Sequence, residues 1–147
     1  IANSIDRDGN LLSTHIDGES YNYGFLEDYA FFIFGLLKLY ELTSEEVYLG
    51  IAKKLNENML KLFWNEENGG LYYYGNTSEK LILRPKDIYD GAIPSGNGIS
   101  VLNFAKLYRI TGDKDFQLKQ NAIFKCFGKD INQNPIAHIY SILSLME

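Results

Sequence analysis

Cysteine is nearly absent from this chain: Cys126 is the only one among 147 residues. That excludes an internal disulfide framework, a cysteine-based zinc site and a C-x-x-C redox pair. Histidine is almost as scarce, with His15 and His138 alone available as imidazole bases. No apolar run reaches the roughly 18 residues expected of a membrane span, because Lys38 and Glu41 interrupt the longest one. A basic excess is missing as well. The net charge is −5 and the pI about 5.0, so the chain has no electrostatic footprint for nucleic acid. It lacks a signal peptide, a linker and any low-complexity stretch. It opens on Ile1 without an initiator Met and reads as a piece of a longer protein, so missing targeting signals exclude little. The expected location is cytoplasmic. Asn76-Thr77-Ser78 is formally a glycosylation sequon and is read here as a turn.

What is present is ordinary in composition and distinctive in order. Hydrophobic residues make up 46% and charged residues 22%, the balance of a globular domain large enough for a core. Residues 25–43 carry Leu26, Tyr29, Phe31, Phe32, Ile33, Phe34, Leu36, Leu37, Leu39, Tyr40 and Leu42, covering every side of a helix. A helix apolar all round is expected to be buried all round. Over residues 45–63 the apolar positions recur at three- and four-residue steps while Glu45, Glu46, Lys53, Lys54 and Lys61 take the other face. That is an amphipathic helix. Thr43-Ser44-Glu45-Glu46 supplies a cap and first-turn acids between them, so the two form a helical hairpin.

The pattern repeats. Leu39-Tyr40-Glu41-Leu42-Thr43 matches Leu107-Tyr108-Arg109-Ile110-Thr111, 68 positions on, and Tyr48 aligns with Phe116. Residues 96–111 are again apolar nearly all round, residues 114–127 again mixed, and a third apolar run starts after Asn134-Pro135. Buried and amphipathic helices in alternation predict stacked hairpins with inner and outer layers. A compact bundle of five helices is the alternative. Turn signals at Asp8-Gly9-Asn10 and Asp17-Gly18 predict a β-hairpin near the start. A second is predicted from Gly70–Tyr74 and Lys80–Arg84 about a Gly75–Ser78 turn. Gly96-Asn97-Gly98 is too short for a dinucleotide loop and has no suitable strand before it, so nucleotide binding is rejected.

Two polar loops lead into the buried helices. One is Arg84–Asn97, R-P-K-D-I-Y-D-G-A-I-P-S-G-N; the other holds Gly24-Phe25-Leu26-Glu27-Asp28-Tyr29-Ala30. These blocks, with Leu62-Phe63-Trp64 and Asn68-Gly69-Gly70, resemble the spermatogenesis-associated, thioredoxin-domain-containing family, in order over roughly residues 20–127. Members of that family join a thioredoxin-like domain to an (α/α)6 toroid of the six-hairpin glycosidase and N-acylglucosamine epimerase type. The resemblance implies an all-α fold with small β-hairpins. It would be part of such a toroid, with about two and a half hairpins present and the thioredoxin-like portion absent. The expected division is a lead-in over 1–23, a helical hairpin over 24–64, a β-hairpin and polar loop over 65–95, a second helical hairpin over 96–128, and the start of a third over 134–147.

In such an array the loops entering inner helices gather at one end of the ring. Glu27, Asp87 and Asp90 are then the candidate acid–base or hydroxyl-binding groups for a sugar. Arg84 and Lys86 are expected to tune them electrostatically, and Tyr89 and Asn97 to contact substrate. Asp28 is a further substrate-binding candidate, with capping as the competing role for it and for Ser95, since acids and hydroxyls are favoured at helix N-termini. His138 is a candidate for the funnel, although a lone histidine beside a proline is more often packed or solvated; His15 is a weaker one. Tyr21, Tyr23, Trp64, Tyr72, Tyr73 and Tyr74 offer faces for sugar rings, or plain core filling. No cofactor or metal is expected, although paired acids could hold Ca²⁺. The expected partners are a carbohydrate, the rest of the toroid and the thioredoxin-like domain, with no nucleic acid and no membrane. Severed apolar flanks predict self-association of the isolated piece. The rival to a carbohydrate-active domain is a non-catalytic helical scaffold that docks the thioredoxin-like domain.

Overall fold

The computed structural model describes residues 4–17, 19–76 and 84–147. Antiparallel strands β1 (Leu12–Ile16) and β2 (Glu19–Tyr23) come first, with Leu12 opposite Tyr23 and Thr14 opposite Tyr21. Asp17 closes the hairpin in the left-handed region at φ 52°, which acidic and amide side chains tolerate better than most. The helices follow as α1 (Leu26–Thr43), α2 (Glu46–Phe63), α3 (Gly96–Thr111) and α4 (Lys114–Gln133). A 3₁₀ turn at Pro135–His138 then leads into the short α5 (Ile139–Leu143) and a last 3₁₀ turn at Ser144–Met146. The second expected β-hairpin falls partly on residues 77–83, outside the described residues. Of its flanks, Leu71 forms only an isolated bridge with Trp64, and residues 84–95 have no regular structure.

α1 and α3 lie side by side and point the same way. Near their N-termini Gly96 touches Leu26: a β-carbon added there would stand 2.6 Å from Leu26 Cγ. Midway, Asn103 Nδ2 donates to the Ala30 carbonyl at 2.8 Å. At the far end Glu41 of α1 meets Lys106 and Arg109 of α3. α2 packs against α1 and α4 against α3, giving an inner pair backed by an outer pair. The core forms where Tyr29, Ile33, Leu36 and Leu37 of α1 meet Leu55, Met59 and Phe63 of α2 and Phe104 and Leu107 of α3. Burying each such side chain contributes about 1.5–3 kcal/mol. Tyr29 combines an edge-on contact with Phe63 at 5.5 Å and a hydroxyl that accepts the Leu11 N–H at 2.8 Å. The lead-in is thereby fastened to the core.

The expectation of helices buried on every side holds for one of the two. In α3 every residue from Gly96 to Leu107 is buried. α1 keeps an open flank instead: Phe31 and Phe34 are half-buried, and Leu42 is 82% exposed. The third apolar run is likewise not a buried helix, since Ile136, Ile139, Leu143, Leu145 and Met146 are exposed. The cause is positional. α3 has α1, α4 and α5 as neighbours, whereas among the described elements the outer flanks of α1 and α5 have none. No helix among the described residues is long and apolar enough to cross a membrane.

Candidate functional site

Both polar loops open at the same end of the inner pair, because the N-termini of α1 and α3 are in contact. Gly96 makes that contact possible, while Gly98 leaves room for the side chains that close the α3 entrance. A β-carbon on Gly98 would stand 2.8 Å from Ser95 Oγ and 2.9 Å from Asp90 Oδ1, closer than real side chains approach. At this junction Glu27 sits in the first turn of α1. It is half-buried, and its Oε2 is buried with no hydrogen-bond partner. Burial raises its pKa above the ordinary 4.5; the charges of Asp28 and Asp87 add to this, while its own backbone and that of Gly96 act against it. A helix N-terminus favours the ionised form, so the net rise means desolvation wins. Its neighbour Tyr73 carries a hydroxyl whose pKa is raised first by the Glu27 charge and then by burial.

The remaining candidates divide by whether their polar atoms are already used. Asp87 is exposed and bonds the Tyr89 N–H through Oδ1 at 2.9 Å. Tyr89 is 57% exposed, its ring edge-on to His138 at 6.4 Å. Asp28 is a cap, accepting the Phe25 N–H at 2.8 Å. Asp90 is committed as well. Oδ1 accepts from Ser95 N at 3.0 Å and Ser95 Oγ at 3.2 Å, and Oδ2 accepts from Tyr140 N at 3.0 Å. Ser95 in turn accepts the Gly98 N–H at 3.0 Å and caps α3. His138 is 5% exposed, with Nδ1 against the Ile88 carbonyl at 2.9 Å. It packs beneath the loop and faces no funnel.

Three expectations need correction. Asn97 does not reach substrate: it is fully buried. Its Oδ1 accepts the Leu71 N–H at 2.8 Å, and its Nδ2 donates to Leu71 O at 2.9 Å and Asp87 O at 2.7 Å. Arg84 does not tune the acids. It donates to the carbonyls of Leu62 and Tyr74 and lies 4.2 Å from the Tyr72 ring centre. Lys86 turns away too, donating to Gly69 O at 2.9 Å with Cys126 Sγ at 3.5 Å. The reason is common to all three. The helix end at Leu62 and the irregular backbone of residues 64–76 and 84–90 lack ladder partners, and buried carbonyls left unpaired cost about 1–3 kcal/mol each, so nearby donors are drawn to them. Among the described residues no cluster of three or more His, Cys, Asp or Glu side chains is placed to hold a metal ion.

Sequence reading overlooked Phe25. This apolar residue is 43% exposed, stacks on Tyr73 at 5.8 Å with 27° between planes, and meets Tyr74 edge-on at 5.7 Å. An aromatic immediately before an acidic first turn was the available signal. A hollow of about 640 Å³ between Trp64 and Cys126 takes its wall from α4, not α1. Glu27 does not line it.

The sequence model for glycosyl hydrolase family 47 matches residues 29–143. Spermatogenesis-associated protein 20 from Homo sapiens is 41% identical over 118 residues, covering 78% of this chain and 15% of the relative; the Mus musculus protein matches equally. The chain thus spans 15% of the length of these relatives. Among solved structures, a glycoside hydrolase family 76 mannosidase from Bacteroides thetaiotaomicron superposes with a TM-score of 0.67 at 21% identity, covering 87% of this chain and 35% of the other. A family 76 α-mannanase from the same organism gives 0.65 at 18%, covering 82% and 32%. A D-mannose isomerase gives 0.59 at 20%, covering 79% and 28%. These likenesses establish a six-hairpin toroid fold, of which this chain forms about a third.

Proposed function

The chain belongs to glycosyl hydrolase family 47, and from that premise we propose that it carries part of the active mouth of a glycoside-processing toroid. In this reading Glu27 is the proton donor. The observation that carries it is the buried, partnerless Oε2 at the shared N-terminal junction, on a carboxyl whose pKa burial raises. A carboxyl whose pKa burial raises keeps its proton to higher pH than a free one and can deliver it to a departing glycosidic oxygen. Asp87, exposed on the facing loop and sensed electrostatically by Glu27, is the second acid and directs water to the anomeric carbon. The balance is simple: the glycosidic C–O bond breaks, the leaving oxygen takes the Glu27 proton, and water supplies hydroxyl to carbon and a proton to Asp87. Asp90 is left out, because its oxygens are engaged by Ser95 and Tyr140.

The names of the three structural neighbours share one sugar, which makes mannosides the first substrates to try. The full-length protein containing this chain is expected to release mannose from α-mannosides, and Glu27→Gln to lower kcat by about 10²–10⁴-fold without loss of fold. Asp87→Asn should fall in the same range. Absence of any sugar-dependent shift in melting temperature, together with undiminished turnover in Glu27→Gln, would leave the helical scaffold as the better account.

A further inference from the structure

The segment after Asn134 does more than pack against α3. Its 3₁₀ turn and the first residues of α5 grip residues 88–90, the stretch that follows Asp87. Ala137 O accepts the Asp90 N–H at 2.8 Å, and the Tyr140 N–H donates to Asp90 Oδ2 at 3.0 Å. Between these two in sequence, His138 is 5% exposed, with Nδ1 at 2.9 Å from the Ile88 carbonyl. A carbonyl only accepts, so Nδ1 is the ring nitrogen that carries the proton in this contact. The bond thereby selects one tautomer of the neutral imidazole.

The Ile88 carbonyl and the Tyr89 N–H belong to one peptide unit. That unit is planar and rigid, so the orientation of its C=O sets the orientation of its N–H. The Tyr89 N–H donates to Asp87 Oδ1 at 2.9 Å. His138 therefore holds one edge of the peptide whose other edge aims the Asp87 carboxylate. The preceding peptide is held as well: Asn97 Nδ2, from α3, donates to Asp87 O at 2.7 Å. Two buried side chains thus fix consecutive peptides, while Asp87 itself is exposed. We infer that His138 is a positioning residue for Asp87: through the Ile88–Tyr89 peptide it orients the carboxylate that directs water in the proposed reaction. The inference rests on the function proposed above. Satisfying a loop carbonyl would need only some donor. Here the donor is a buried ring of fixed reach, edge-on to Tyr89 at 6.4 Å. Without it the peptide is free to turn and to carry the Tyr89 N–H away from Oδ1.

The test follows nitrophenol release from nitrophenyl α-mannoside by the full-length protein. His138→Leu removes the donor and is expected to lower kcat about 10–100-fold with KM nearly unchanged. His138→Asn places an amide N–H where Nδ1 stood and should recover most of that loss. Melting curves check that both variants are folded at the assay temperature, and His138→Phe takes the place of His138→Leu if that one is not. The decisive comparison is made in Asp87→Asn. There His138→Leu should lower kcat no further, since the carboxylate it orients has gone. A role confined to stability would give His138→Asn the same loss as His138→Leu, or repeat the full loss in Asp87→Asn, and either result overturns the inference. Unchanged kcat in His138→Leu overturns it too, with the proposed function left standing. Full turnover in Asp87→Asn, or no nitrophenol release by the unsubstituted protein, removes the proposed function and this role with it, so the two failures are told apart.

Discussion

The two ends of the inner helix pair obey different rules. At the C-terminal end the turns after α1 and α3 are copies of one another. Thr43 donates to Leu39 O at 2.8 Å and Thr111 to Leu107 O at 2.7 Å. Each threonine hydroxyl then accepts an N–H two residues on, from Glu45 and from Asp113, at 3.2 Å in both cases. Ser44 and Gly112 both close their helices in the left-handed region, at φ 58° and 71°. The N-terminal end shows no such copying. α3 enters through Ser95, Asp90 and Asn97, every one fully bonded, while α1 enters through Asp28 as cap and leaves Glu27 Oε2 with nothing. Geometry is repeated where only packing matters. It diverges where a carboxyl is held in a costly state, which is the signature expected of a site.

The comparison is most easily broken at Asn97. Asn97→Ala strands Leu71 N–H, Leu71 O and Asp87 O, and should cost about 3–5 kcal/mol in denaturant unfolding. A small effect would mean that water replaces the side chain and that the α3 entrance is not specified by it. Gly96→Ala forces the inner pair apart at the mouth. A loss of about 1–3 kcal/mol is expected, and a neutral result would deny the close contact between Gly96 and Leu26. At the copied end the prediction is a matched pair of opposite sign. Ser44→Gly relieves a left-handed serine and should gain, and Gly112→Ser should lose, each by about 1 kcal/mol. Unequal magnitudes would show the two turns to be less alike than their hydrogen bonds.

The smallest effect separates the acids. Glu27 has a folded pKa above its ordinary 4.5, so the unfolded chain gives up its proton first and the fold is penalised once pH exceeds that value. Glu27→Gln should therefore raise the melting temperature modestly at neutral pH. The gain should fade as pH falls through the window down to 4.5. Asp90→Asn should lower the melting temperature, having broken bonds to Ser95 and Tyr140. Were both substitutions to shift stability in the same direction, the division between a free acid and a spent one would be lost.

The sequence was read well where periodicity decides the outcome. The repeat of Leu39–Thr43 in Leu107–Thr111 announced the copied turns, and the apolar and mixed runs located α1 to α4 closely. Only the tail of α4, which continues to Gln133, ran past expectation. The site was harder to read, because hydrogen bonds across the fold decide which polar residues are spent. Asn97 is joined to Leu71, Arg84 to Leu62 and Lys86 to Gly69, pairings between irregular segments that carry no periodic signal. Glu27, Asp87 and Asp90 looked equivalent as acids in loops. What separates them is Tyr140 and Ser95 beside one, and dry surroundings about another. Phe25 was passed over because its one signal, a place just before an acidic first turn, does not say whether the ring is exposed.

Asn97 acts on its loop as a tent peg does on a guy-rope. By gripping Leu71 and Asp87 at once it fixes the height of the rim at two points, on either side of residues 77–83. With both points pinned, exchanging the exposed Tyr89 just beyond them should leave the Asp87 backbone where it stands.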